Sequence, residues 1–298
     1  MITKILTVPA ALLLMSVGST SVRAAAIHYT VDSFSDGVNG DVVGGPDSAY
    51  ELYGVAYAQT DTTLYVGFSS NLPIGGQPTP DVTGGSVAWG DLFFNFTDLP
   101  FAAAVASGEI YGVRFDAAND SPVSLGLYQV QQTNSVTSTN GGFASLAAYQ
   151  TTVTGAGGTP SLGDVPFDGS YLSHTGGPQN IIAQGTLVSS EVSFIEDFST
   201  VGFASDFGFG AELSETGSYS YGFSVEKSGL PLGDFIAHVL AECANDSIAF
   251  VGTLLGQTSQ GAATSKSVPE PANCLSLLAI GAGYAIWHQR QRQTLQRR

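Results

Sequence analysis

Basic residues are scarce in this chain. It has 9 lysines and arginines against 25 aspartates and glutamates, a net charge of −16 over 298 residues. Between Ile27 and Ser265 only Arg114 and Lys227 are basic, against 24 carboxylates, which gives this stretch a net charge of −22. Contacts to phosphates need Lys and Arg, so the composition excludes nucleic acid as a partner.

Cysteine is also nearly absent, because only Cys243 and Cys274 occur. Cys274 lies in an apolar C-terminal run, so Cys243 is expected to be a small buried residue without a disulfide partner. A body of roughly 230 residues can bury a sufficient core without disulfides.

Few residues suit nucleophilic catalysis. Apart from His288, the histidines are His28, His174 and His238. The one approach to a Gly-x-Ser-x-Gly elbow, 84–88, ends in Ala. A glycosidase needs only two carboxylates, so a secreted hydrolase stays as a less favoured alternative.

Glycine and short alternating apolar runs are abundant instead. The 37 glycines, many in Asn-Gly, Asp-Gly and Gly-Gly pairs, supply turns between strands. Two short helices are predicted, at 101–106 and 143–149, and 155–180 is expected to be the least ordered region. The fold class predicted is all-β, an antiparallel, jelly-roll-like β-sandwich with Gly-rich loops. The strands predicted are 51–57, 63–69, 92–96, 109–115, 123–130, 149–154, 201–209, 218–226, 235–242 and 248–255. Segment 92–96 is apolar on nearly both sides and is predicted to be a central strand, whereas Glu51, Tyr53, Val55 and Tyr57 alternate with small residues and are expected on one face.

The N-terminus is typical of a secretory signal helix. Lys4 precedes an apolar region from Ile5 to Val17, and Ala24 and Ala26 form an Ala-x-Ala cleavage site. The alternative is an uncleaved anchor, but about thirteen apolar residues are fewer than the roughly 20 that span a bilayer.

The C-terminus has three parts in a fixed order. Val268, Pro269, Glu270 and Pro271 precede an apolar run from Cys274 to Trp287, which predicts a short transmembrane helix. Prolines keep the motif extended, and the positive-inside rule holds the basic tail on the cytoplasmic side. The arginines of that tail are Arg290, Arg292, Arg297 and Arg298.

This segment resembles the PEP-CTERM sorting signal of Gram-negative bacteria. The resemblance covers only residues 268–298. It implies cleavage by an exosortase after signal peptidase has acted, and delivery from a transient inner-membrane anchor to the cell surface or exopolysaccharide matrix. An ordinary tail anchor is the alternative.

Four segments follow from these features. They are a signal peptide (1–26), a β-sandwich ectodomain (27–255), a flexible linker (256–267) and the sorting signal (268–298).

Calcium is the ligand best founded in the sequence. Asp32, Asp36, Asn39 and Asp41 place oxygen donors and turn glycines within ten residues, although Phe34 and the missing closing Glu exclude an EF-hand. The alternative is an acidic surface turn. Asp91 and Asp120 are weaker candidates.

A second acidic series begins at Asp234. Asp234, His238, Glu242 and Asp246 fall four apart and on a helix would line one face as a metal or acid-base cluster, but the local alternation indicates a strand followed by a turn at 245–247. On a strand Asp234, His238 and Glu242 still share one face, but successive members are about 13 Å apart, too far for one metal. A hydrogen-bonded structural role is therefore predicted for them.

The function predicted is a non-enzymatic structural or adhesive role at the surface or in the matrix, with exopolysaccharide or other surface proteins as partners. A carbohydrate-binding module, calcium-dependent or not, is the second hypothesis. Trp89 and the tyrosines would supply its stacking platforms.

Overall fold

Residues 26–256 are described by a computed structural model. They form mostly antiparallel strands with few helices, which confirms the all-β prediction. Ala26 is exposed, whereas the rest of the predicted signal peptide, including Ala24, the predicted linker from 257 to 267 and the predicted sorting signal lie outside the described residues. Within 26–256, no helix is long and apolar enough to cross a bilayer.

The strands form two large sheets. Sheet one has the order β1-β4-β5-β13-β12, and sheet two has the order β11-β10-β9-β8-β14-β15. Sheet one contains β1 (His28–Val31), β4 (Leu52–Gln59), β5 (Thr63–Ser70), β12 (Val192–Ile195) and β13 (Tyr219–Glu226). Sheet two contains β8 (Leu92–Asn95), β9 (Ile110–Arg114), β10 (Gly126–Asn134), β11 (Ile181–Ser189), β14 (Gly233–Leu240) and β15 (Ser247–Leu254).

Smaller elements connect the sheets. Two ribbons pair β2 (Val38–Asn39) with β3 (Val42–Val43) and β6 (Gln77–Pro78) with β7 (Ser86–Val87). The helices are α1 (Phe101–Ser107), α2 (Leu146–Gly155) and α3 (Phe209–Glu212). The prediction of a helix at 101–106 is confirmed.

Side chains from both sheets form one core. Val66 and Phe223 of sheet one and Phe94, Val239 and Phe250 of sheet two belong to the same buried cluster. Strand β8 is buried on both faces, since Leu92 and Phe94 join this core while Phe93 joins a second cluster beneath α1. A nearly continuous apolar run predicted such a central strand.

Alternation and turn signals predicted β5, β9, β13, β14 and β15 to within a few residues, and the apolar run at 92–96 predicted β8. Strand β10 begins later and runs further than the predicted 123–130. Strands β1, β11 and β12 are sheet members that alternation did not predict. In β11 the buried pattern is confined to its first two residues, so the period is weak.

A bulge corrects the predicted faces of β4. The pairing of β4 with β5 shifts register between Leu52 and Gly54. Tyr53 therefore faces the outer cluster of sheet one, while Val55 and Tyr57 face the shared core. Strict alternation placed all three on one face, and the extra residue of a bulge reverses that order.

The strand predicted at 149–154 is wrong, because this segment is the C-terminal part of α2. Ser145 caps the helix through a 3.2 Å hydrogen bond from the Ala148 N–H to its Oγ. Leu146, Tyr149 and Val153 are buried, a helical spacing. Its exposed threonines bond back to carbonyls four residues earlier, so β-branched residues did not prevent the helix.

The strand predicted at 201–209 is also wrong. Gly202, Phe207 and Gly208 all have positive φ, which is incompatible with a strand. The segment instead lays Phe198, Phe207 and Phe209 on the outer face of sheet one. Its apolar residues recur because they cover the outer face of sheet one, and not because the segment pairs with another strand.

Region 156–180 has no helix or strand but is anchored to the body. Leu162, Val165, Tyr171 and Leu172 are buried in the cluster on the outer face of sheet two. The Asp164 N–H also donates to the Ala249 carbonyl at 3.0 Å. The segment is thus irregular in backbone but packed by its side chains.

Candidate metal centre

Strand ends from both sheets converge at one buried point. Asp32 directly follows β1, and its N–H donates to the Tyr53 carbonyl, which extends the β1–β4 pairing by one residue. Glu51 directly precedes β4, and Asp246 directly precedes β15. The Leu52 N–H donates to Asp246 Oδ2 at 2.8 Å, so the β14–β15 turn of sheet two is tied to the start of β4 in sheet one.

Three carboxylates meet at this point. Asp32, Asp36 and Asp246 each offer one oxygen, and these oxygens lie within 4.8 Å of one another. Asp32 is 5% exposed, whereas Asp36, Asp246 and the neighbouring Glu51 are fully buried. We call Asp32, Asp36, Glu51 and Asp246 the carboxylate cluster.

Backbone amides hold one oxygen of each acid at the N-terminal side of the cluster. Asp32 Oδ1 accepts from the Ser33 N–H at 2.9 Å, and Asp36 Oδ2 accepts from the Ser161 N–H at 2.7 Å. Glu51 Oε2 accepts from the Gly37 N–H at 2.9 Å. The second oxygens, Asp32 Oδ2, Asp36 Oδ1 and Glu51 Oε1, have no hydrogen-bond partner among the described residues. Buried polar atoms rarely lack partners, so these three oxygens require an explanation.

Two hydroxyls from other elements share this condition. Tyr149 Oη, on α2, and Ser247 Oγ, which follows Asp246, are buried and without a hydrogen-bond partner within 26–256. Burial and the negative charges of Asp246, Asp36 and Asp32 raise the pKa of Tyr149 well above its ordinary value, which places its hydroxyl against the cluster. Tyr149 Oη therefore lies near the acids of the cluster, and Ser247 Oγ belongs to the residue that directly follows Asp246.

Burial also disfavours the charged carboxylates. It raises the pKa of Asp36 to about 7, and burial together with the charge of Asp36 raises that of Glu51 to about 8. Burial and then the charge of Asp36 raise the pKa of Asp32 and Asp246 well above the usual range. Glu215 adds further negative charge near Glu51.

The basic side chains of the described residues are engaged elsewhere. Arg114 donates to the loop that follows β9, including Asn119 Oδ1 at 2.9 Å. Lys227 donates to Gln59 Oε1 at 3.0 Å and to the Thr60 carbonyl at 2.7 Å. Neutralisation of the cluster is thus left to protons or to a cation from solution.

The structure brings together only part of the set that the sequence predicted. Asp32 and Asp36 are in the cluster, but Asn39 and Asp41 are exposed on the β2–β3 ribbon. Val38 is buried and donates to the Asn245 carbonyl at 2.9 Å, which turns Asn39 and the residues after it outward. Glu51 was missed, and Asp246 was considered only together with Asp234, His238 and Glu242, because no local motif links either residue to Asp32.

The weaker candidates have structural roles. Asp91 is fully buried and accepts from Asn119 Nδ2 at 2.9 Å and the Ile182 N–H at 2.6 Å. Asp120 accepts from Asn140 Nδ2 at 2.9 Å, a loop-to-loop contact. Both carboxylates tie neighbouring segments together.

Asp234 and His238 lie in β14, and Glu242 lies two residues beyond its end. Each of the three side chains has its own hydrogen-bond partner. His238 Nδ1 lies 3.0 Å from Tyr171 Oη, and burial lowers the His238 pKa to about 3. Glu242 Oε2 accepts from the Ala88 N–H at 2.9 Å. Asp234 accepts from Thr253 Oγ1 at 2.6 Å.

The aromatic residues proposed as sugar platforms are mostly internal. Trp89 is fully buried, and of the tyrosines in the described range only Tyr219 is exposed. His28 stacks on Tyr57 with ring centroids 4.8 Å apart, and His174 packs against Phe167 at 4.7 Å. Rings inside the core cannot stack on a sugar.

Comparison with known proteins assigns no family. No family model, no curated protein and no solved structure matches the chain. The function is therefore inferred from the residues and their geometry.

Proposed function

We propose that the chain is an exported, non-enzymatic structural or adhesive protein of the cell surface or exopolysaccharide matrix. The observation that carries the proposal is the order of parts at the C-terminus: Val268–Pro271, an apolar run, then arginines. This order of motif, apolar run and basic tail is what an exosortase substrate requires. It does not indicate a catalytic role.

The composition of the body supports export. The net charge of −22 between Ile27 and Ser265 favours solubility outside the cell. The ionisable residues that the sequence offered for catalysis have positions inside the fold. His238 contacts Tyr171, and Glu242 accepts a backbone N–H. These contacts favour a structural use of both side chains.

For the architecture we propose a jelly-roll-like β-sandwich. Its support is the pair of antiparallel sheets, of five and six strands, whose side chains share one core. Such a body exposes long strands and loops to partners, which suits adhesion to polysaccharide or to other surface proteins.

Intact mass spectrometry of the secreted product tests the processing. The full chain is expressed in a Gram-negative host that has an exosortase, and the mature product is expected to lack the signal peptide and all residues from Arg290 to Arg298. Replacing Pro269, Glu270 and Pro271 by alanine should leave the tail attached and the protein in the membrane fraction.

The matched control replaces Thr264 and Ser265 by alanine, just before the motif, and should be processed normally. A wild-type product that retains its arginines at the cell surface would contradict the proposal. So would identical processing of the motif variant and the wild type.

A further inference from the structure

We propose that the carboxylate cluster binds one calcium ion, which joins the end of β1, the start of β4 and the β14–β15 turn. The site is formed by Asp32, Asp36 and Asp246, whose carboxylate oxygens lie within 4.8 Å of one another, and Glu51 adjoins them through the Gly37 N–H. The Tyr149 and Ser247 hydroxyls are buried and unpartnered within 26–256. This inference goes beyond the proposed function and does not depend on how the protein is exported.

The hydrogen-bond pattern indicates a cation. Backbone amides fix one oxygen each of Asp32, Asp36 and Glu51, and the other oxygen of each has no partner within 26–256. An amide that orients a carboxylate while its second oxygen stays free is the arrangement of a metal ligand with its supporting shell. Asp246 differs, because its two oxygens accept the Ser247 N–H at 2.7 Å and the Leu52 N–H at 2.8 Å, so it would offer an ion only a remaining lone pair. Asp91, which serves as an acceptor, likewise has a donor at each oxygen, and this sets Asp32, Asp36 and Glu51 apart.

The charge balance points the same way. Buried carboxylates this close repel one another unless protons or a cation neutralise them. Arg114 and Lys227, the lysine and arginine of the described residues, are bound to other partners. A divalent cation would offset two of the negative charges in the cluster and so reduce the repulsion among the acids.

Two unpartnered groups outside the acidic residues support the site independently. Tyr149 Oη belongs to α2 and Ser247 Oγ to the first residue of β15, and both are almost completely buried. Each hydroxyl oxygen would gain a partner from an ion or from water bound to it, because it has no hydrogen-bond partner within 26–256.

The donor chemistry selects calcium among common cations. Every donor in the cluster is an oxygen, which disfavours zinc. Ca²⁺ accepts six to eight oxygen ligands in irregular geometry, including carboxylates. Mg²⁺ demands near-octahedral geometry and retains several waters, which a fully buried site formed by separate loops does not favour.

Thermal unfolding of the full chain tests the site. The protein is stripped with EDTA and melted at about pH 8, with and without CaCl₂. At a hundredfold excess of calcium over Kd, Tm should rise by roughly 5–10 °C. Isothermal titration of CaCl₂ should show one site, and binding should release protons because the metal displaces them from the acids. MgCl₂ at the same concentration should give a much smaller shift.

The variant Asp36→Asn gives a signature that a purely structural role would not. It removes one charge but keeps an oxygen for the Ser161 N–H. We expect its Tm in EDTA to be at or above that of the wild type, and the rise with calcium to be lost. The matched control, Asp41→Asn, changes an exposed acid on the β2–β3 ribbon and should keep the full calcium shift.

Three results would overturn the proposal. The first is a wild-type Tm that is the same in EDTA and in CaCl₂, with no heat on titration. The second is a calcium shift that survives Asp36→Asn or disappears in Asp41→Asn. The third is an equal shift with magnesium. The wild-type measurement alone decides the matter if a variant does not fold.

Discussion

At the scale of single residues, the buried Tyr221 hydroxyl is expected to contribute strongly to stability. Trp89 Nε1 donates to Tyr221 Oη at 2.5 Å, and Tyr221 Oη donates to the Leu72 carbonyl at 2.6 Å. In Tyr221→Phe the indole N–H and the carbonyl both lose their partner inside the core. We expect the free energy of unfolding to fall by about 1–3 kcal/mol for each buried group left unpaired, measured by urea denaturation.

The same strand offers the control. Tyr219 is 45% exposed and on β13 two residues earlier, so Tyr219→Phe should change the unfolding free energy by no more than about 0.5 kcal/mol. Equal effects of the two variants would mean that the Trp89 hydrogen bond adds nothing to stability.

Residue types alone predicted two of the four acids in the carboxylate cluster. Asp32 and Asp36 stand out because they lie in one short acidic stretch, and a local motif can reveal them. Glu51 and Asp246 enter through strand pairing and through the Leu52–Asp246 hydrogen bond, which depend on the tertiary fold. Asn39 and Asp41 share the stretch but not the burial, and single-sequence composition cannot separate the two pairs.

At the scale of elements, the outer face of sheet one depends on a pair of glycines. Gly67 of β5 and Gly222 of β13 are directly paired. Phe198 and Phe207 stack with ring centroids 4.1 Å apart, and a Cβ on Gly67 would come within 2.6 Å of Phe207 and 2.9 Å of Phe198. The missing side chains make room for the aromatic cover of 198–209.

Gly222→Ala tests this packing. A Cβ on Gly222 would overlap the Val66 carbonyl oxygen and lie 2.8 Å from the Phe198 ring, so backbone and ring must both shift. We expect a loss of about 3 kcal/mol in unfolding free energy, the upper range for overpacking, by denaturant titration.

The control for that variant is Gly155→Ala, at the end of α2. A Cβ there meets nothing within 4 Å, and alanine favours a helix, so stability should be unchanged or rise by up to about 1 kcal/mol. If Gly222→Ala changed stability as little as Gly155→Ala, the missing side chains of the glycine pair would not be the reason that the Phe198 and Phe207 rings fit on the sheet.

Elements could be predicted from the sequence where one face packs against the core and no bulge interrupts the alternation of apolar and polar residues. Strand β13 alternates without a break and was predicted, whereas β4 has a bulge that reverses its faces. For α2, tyrosine, threonine and valine suggested a strand, but the spacing of Leu146, Tyr149 and Val153 after Ser145 was a helical signal present in the sequence. The aromatic cover at 198–209 alternates because it packs on a sheet, so period alone could not distinguish it from a strand.

For the whole molecule, burial of ionisable groups sets opposing dependences on pH. The raised pKa of Asp36 and Glu242, about 7, and of Glu51, about 8, means that the folded state holds protons that the unfolded chain has released. Their stabilising effect is complete below about pH 4 and is lost as the pH rises through those values. His238, with its pKa lowered to about 3, acts in the other direction, because stability is lost as the pH falls from about 6.5 toward 3.

Because the buried carboxylates outnumber the single buried histidine, metal-free protein should lose stability steadily between about pH 5 and pH 8.5. Urea titrations in EDTA across this range would measure the loss. Calcium should reduce it, since an ion that replaces protons of the carboxylate cluster offsets part of the repulsion at high pH. Asp36→Asn in EDTA should show a shallower loss than wild type, while Asp41→Asn should follow wild type. Metal-free protein more stable at pH 8 than at pH 5 would contradict the buried, unneutralised state of these acids, because their raised pKa lowers stability as the pH rises and the gain from His238 is largely complete by about pH 6.5.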